Sequence, residues 1–83
     1  MPTPGHTCND VSVVVKNTQD GTVVIAGDVF ECEADLRDDE LWKSNSFNVS
    51  LQEVSRAKVL RLADVVVPGH GEKFTVDKHR GGN

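Results

Sequence analysis

Eighty-three residues carrying 13 acidic and 9 basic side chains, with a formal charge of −4 when histidine is neutral, make at most one small acidic domain. Such a chain has no basic field to draw counterion-release affinity from a phosphate backbone, so non-specific nucleic-acid binding is not expected. A domain of this size buries only about 60% of its unfolded surface. With Phe30, Trp42, Phe47 and Phe74 as its only aromatic residues, aliphatics, mostly valine, have to fill the core.

The first residues hold no basic region followed by an apolar run, and no apolar window approaches the length of a membrane span. A soluble intracellular protein, cytoplasmic or nuclear and not secreted, is the expectation. In that setting Cys8 and Cys32 are expected as reduced thiols, and the sequon at Asn48 is read as chance.

Along the chain, "VSVVVK" from Val11 to Lys16 and "TVVIA" from Thr22 to Ala26 are dense in β-branched residues and separated by "NTQDG". This predicts a hairpin. Neither run alternates cleanly with polar residues, so both faces of the strands are expected to be covered. The acidic segment 29–47 predicts an irregular loop with a short turn around "DDELWK", anchored by Trp42. Ser50 followed by Glu53 has the spacing of a capping box and predicts a helix from Leu51 to Leu62. Leu51, Val54 and Leu62 share one side of that helix while Val59 and Leu60 do not, which predicts burial on more than one side. "ADVVVP" then predicts a strand, "GHGEK" a turn, "FTV" a last short strand, and the tail from residue 77 a frayed end.

Pro-Gly-His occurs twice, ending at His6 and at His70. A histidine after Pro-Gly sits at a turn and is expected to be presented rather than packed. His6 precedes the first strand, Asp28 follows the second, and His70 follows the strand after the helix. Strand ends are where a sheet holds its chemistry rigidly, and two imidazoles with one carboxylate suit zinc and similar ions. An exposed histidine is equally a plain turn residue, and these residues alone leave both readings open.

"TPGHT" before "VSVVV", then "GTVVIAGD", then "SRAKVLRLADVVVPGHG" resembles the C-terminal half of the metallo-β-lactamase fold superfamily, over roughly residues 3–76. The resemblance implies an α/β (α+β) fold, half of a four-layer αβ/βα domain of mainly antiparallel strands plus one helix. The domain would span residues 1–76 and a tail 77–83. It also implies a metal-dependent hydrolase using two zinc ions, with manganese or iron as alternatives, and a ribonuclease among the candidate activities. By position, His6 would bind the first ion, Asp28 would bridge both, and His70 would bind the second. No catalytic residue beyond these ligands is implied.

Full-length members of that superfamily carry a further His-x-His-x-Asp-His segment, and this chain has only His6, His70 and His79 and no Asp-His pair. Each ion would therefore keep two ligands where catalytic zinc usually has at least three. The chain alone is expected to bind metal weakly, with the zinc absent in the limit, and to be inactive. A fragment, a short isoform or a truncated gene model would each explain it. Half of a sandwich also leaves a valine-rich sheet face open, which predicts a homodimer or pairing with the missing N-terminal half. The alternative function is a non-catalytic interaction or dimerisation module derived from the same fold.

Simpler readings stand beside the sharper ones for the remaining residues. Cys8 is a metal ligand or, preferred here, a small inward-facing residue at a strand edge, and His79 is a solvated tail residue. The acidic run 31–40 is a solvated face or a dock for a basic partner, and Trp42 is a core anchor or the wall of a cleft.

Overall fold

The computed structural model describes residues 1–77. The expected frayed tail lies, from residue 78 onward and including His79, outside the described residues. Four strands form one sheet in the order β1 (Val13–Thr18), β2 (Gly21–Gly27), β3 (Val65–Pro68), β4 (Phe74–Thr75). Neighbours β1 and β2 are antiparallel, β2 and β3 parallel, and β3 and β4 antiparallel. The expected hairpin forms, with Thr18 opposite Gly21 and Asn17 at φ 63°. The parallel step requires a long crossover, and residues 28–64 supply it.

That crossover is more regular than the expected loop. A 3-10 turn spans Glu33–Leu36, α1 spans Asp39–Lys43 and α2 spans Val49–Leu62. The acidic run builds it from within. Asp38 Oδ1 accepts the Glu40 N–H at 3.1 Å as the cap of α1, and buried Asp35 accepts the Glu31 N–H at 2.8 Å. Trp42 is buried, as expected of an anchor, and the Arg56 guanidinium is held between its ring and that of Phe30, 4.4 Å from each centroid. Burial pulls the Arg56 pKa below its ordinary value, opposed by the charges of Asp35, Asp39 and Glu53.

Two expectations about α2 need correction. Its cap is Asn48, in extended conformation, whose side chain accepts the Leu51 N–H at 3.0 Å; Ser50 already lies inside the first turn. Asparagine is among the best N-caps, so the helix starts two residues earlier than the Ser50–Glu53 pair suggests. Burial is also confined to one stripe, Gln52, Ser55, Arg56 and Val59, whereas Leu51, Val54 and Leu62 are exposed. The buried stripe is mostly polar because it meets backbone carbonyls of the N-terminal segment and of the crossover. Ser55 Oγ donates to the Pro4 carbonyl at 2.7 Å, Gln52 Nε2 to that of Val29 at 3.2 Å and the Arg56 guanidinium to that of Asp35 at 2.7 Å.

The core is valine-rich, as composition requires: Val24, Ala26, Val29, Phe30, Val59, Ala63, Val66 and Phe74 form one buried cluster, with Phe30 and Phe74 edge to face at 6.0 Å. It fills only one side of the sheet. Val13 pairs with Ile25 and Val15 with Val23 on the opposite face, where Val13, Val15 and Ile25 are 54%, 40% and 43% exposed. The expectation that both strand faces are covered is therefore wrong for this chain. The non-alternating valines continue this face, which is open at Val13, Val15 and Ile25 and closes towards Val65, itself buried.

Candidate metal centre

Three loops meet at the end of the sheet where β2 and β3 terminate. The N-terminal segment runs beside Val11 through a bridge with Pro2 and turns at Gly5. Gly5 has φ +142° and lies against the backbone of Gln52, where a Cβ would collide with the helix. The start of α2 then fixes the segment: the Asn48 N–H donates to the Gly5 carbonyl at 2.8 Å, Ser46 Oγ to the same oxygen at 3.0 Å, and the Phe47 N–H to the His6 carbonyl at 3.2 Å. His6 is thereby held over the sheet rim.

Asp28 follows β2 directly, and the buried pair Val29 and Phe30 pins the turn beneath it. Gln52 reaches this turn too, donating from Nε2 to the Val29 carbonyl at 3.2 Å, so one residue of α2 touches the loops of both His6 and Asp28. After β3, the Gly69 N–H donates to the Phe30 carbonyl at 2.9 Å and the His70 N–H to the Glu31 carbonyl at 2.7 Å. Gly69 sits so close to Asp28 Oδ1 that a Cβ there would occupy the same space. Each Pro-Gly-His copy thus needs its glycine for close approach, once to a helix and once to a carboxylate.

The result is a carboxylate between two imidazoles. His6 Nε2 lies 3.6 Å from Asp28 Oδ2, and His70 Nε2 lies 3.1 Å from Asp28 Oδ1. Two donors each 2.0–2.1 Å from one tetrahedral zinc would stand about 3.3 Å apart, so both separations suit donors that share an ion. The donor chemistry, imidazole with carboxylate, also fits zinc, manganese or iron. The histidines are not equally presented, however: the His6 side chain is 21% exposed and that of His70 is 66% exposed.

One residue near the site went unnoticed in the sequence. Glu31 brings a carboxylate oxygen into a group with His6 and Asp28 whose ligand atoms all lie within 4.8 Å of one another. Its signal was the Asp-Val-Phe-Glu spacing, an apolar pair between two acids, which in a turn anchored by that pair returns both acids to the same side. Cys8 does not face inward, as its preferred reading had it, but is exposed; Cys32 is half-buried, and both thiols are free.

The fold, a small α+β arrangement of four mixed strands and one main helix, is consistent with part of a metallo-β-lactamase fold. Among curated proteins, metallo-β-lactamase domain-containing protein 1 of Xenopus laevis is 51% identical over 79 residues, covering 95% of this chain and 33% of the relative. The protein of the same name from Homo sapiens is 55% identical over 75 residues (89% and 27%), and that from Mus musculus 53% over 75 (89% and 28%). The chain is homologous to a C-terminal piece of these proteins and spans about a third of their length. No family model matches it. Among the described residues, no helix is long and apolar enough to cross a membrane.

Proposed function

We propose that this chain supplies the C-terminal metal-binding rim of a metal-dependent hydrolase, with Asp28 bridging two ions and His6 and His70 each binding one. The observation that carries the reading is the placement of two imidazole Nε2 atoms against the two oxygens of one carboxylate, at 3.6 and 3.1 Å. Zinc is the proposed metal, with manganese or iron as alternatives. When bound, ions at this rim would generate hydroxide from a shared water and polarise the group under attack. The chain's own residues hold that centre rigid, because Gln52, Gly5 and Gly69 fix the separation of the three ligand loops. The remaining ligands come from a His-x-His-x-Asp-His segment in the rest of a longer protein. The rim alone is catalytically inactive, and the complete protein is an intracellular hydrolase, with RNA as a substrate.

The test is made in the full-length Xenopus relative, with the substitutions equivalent to His6→Ala, Asp28→Asn and His70→Ala. Elemental analysis is expected to show metal lost in each variant, and hydrolysis to fall by at least about 100-fold, the cost of removing one preorganised electrostatic group. Unchanged metal content in all three would overturn the reading.

A second reading is favoured by the exposed Val13, Val15 and Ile25. On this reading the chain is an interaction module whose open sheet face is covered by a second copy or by the N-terminal part of a longer protein.

A further inference from the structure

We infer that Glu31 is a metal ligand, and that His6, Asp28 and Glu31 together form a divalent-cation site complete within this chain. The inference rests on the metal-binding reading of the rim and extends it to a residue outside the two Pro-Gly-His motifs and the Gly-Asp pair.

Three observations carry it. The ligand atoms of His6, Asp28 and Glu31 all lie within 4.8 Å of one another, close enough to share an ion after small side-chain adjustments, and all three residues are half-buried. Glu31 is also held in place. Its N–H donates to Asp35 Oδ2 at 2.8 Å, Asp35 being buried, and its carbonyl accepts the His70 N–H at 2.7 Å. Its side chain has Asn45 Nδ2 3.5 Å from Oε1, a contact at the outer limit of a hydrogen bond. Donor count is the third point. With His6 and Asp28 alone the first ion has two protein ligands, and Glu31 raises this to three, the number that protein-held catalytic zinc requires.

Charge selects the metal. A neutral imidazole and two carboxylates cancel the two positive charges of the cation without help from another segment. Two carboxylates and one imidazole form a donor set that accepts manganese(II) as well as zinc, and manganese(II) reports its own binding through its paramagnetism. The probe is therefore manganese(II), added to the purified 83-residue chain and followed by loss of the free-ion signal in electron paramagnetic resonance.

One equivalent is expected to bind. Glu31→Gln should weaken binding by at least the ~10-fold that loss of even an outer-shell partner costs. Glu31→Asp, which keeps the charge and withdraws it by one methylene, should fall between Glu31→Gln and the parent. Glu33→Gln, at an exposed neighbouring carboxylate, should bind like the parent, and helical circular dichroism confirms that each variant is folded. If His6→Ala and Asp28→Asn abolish binding while Glu31→Gln matches the parent, the role of Glu31 is overturned and the Asp28-centred rim stands. Should binding survive His6→Ala and Asp28→Asn, both readings fail. No binding by the parent overturns a site complete within this chain, and leaves the metal content of the full-length relative to decide the rim.

Discussion

A methyl group has no room at Gly5, against the backbone of Gln52, or at Gly69, against Asp28 Oδ1. At Gly5 the φ of +142° adds strain for any other residue, so Gly5→Ala should destabilise the chain by more than about 1 kcal/mol in urea unfolding. At Gly69 a Cβ would meet first the Asp28 side chain, which can move, and then the Gly27 backbone at 3.0 and 3.1 Å, which moves less easily. Gly69→Ala should therefore displace Asp28 and weaken manganese binding as well as lower stability. Asp39 makes a third residue-level case. The Trp42 indole N–H, 3.3 Å from its Oδ1, and the Lys43 charge hold its carboxyl below the ordinary value of 3.8. A depressed carboxylate contributes stability that is present above its unfolded pKa and is lost as pH falls through the folded one. Its titration, followed by carbon NMR, should therefore have a midpoint below 3.8, and Trp42→Phe, which removes the larger cause, should raise it. A midpoint unchanged by that substitution would refute the contact.

Among the elements, α2 does most to shape the site; its span was legible in the sequence to within two residues, but its cap and its buried side were not. Asn48→Ala should cost about 1 kcal/mol, since it removes the N-cap and slackens the contact with the Gly5 carbonyl. Ser50→Ala should be neutral within about 0.5 kcal/mol, as at any surface position away from a cap. The opposite ranking in denaturant unfolding would restore the Ser50–Glu53 box. The hairpin and β3 were legible because β-branched runs bounded by turns carry their own signal, and Trp42 was legible because a lone tryptophan in an acidic stretch has few places to go. The buried stripe of α2 was not legible. Gln52, Ser55 and Arg56 face inward to meet the Pro4, Val29 and Asp35 carbonyls, partners that only the folded chain brings near. The same holds for Glu31, whose proximity to His6 is set by residues 25 positions apart in sequence, whereas His6, Asp28 and His70 were marked by motifs.

For the whole molecule, the open sheet face asks what covers it. Four strands about 4.8 Å apart, the longest seven residues at about 3.4 Å each, give a face of roughly 400 Å², and less where β3 and β4 are short. A stable interface takes about 800 Å² from each partner. Self-association through this face alone should therefore be weak, whereas the longer relatives, of which this chain spans about a third, have ample further chain to cover it. Sedimentation velocity is expected to show a monomer at low concentration and reversible association as concentration rises. Val13→Thr with Ile25→Thr should suppress the association at modest cost to stability, because both side chains are already about half exposed. Leu51→Ser with Val54→Ser, on the exposed side of α2, should leave it intact. A tight dimer insensitive to the strand substitutions would move the interface to α2 and detach it from the face that the fold leaves open.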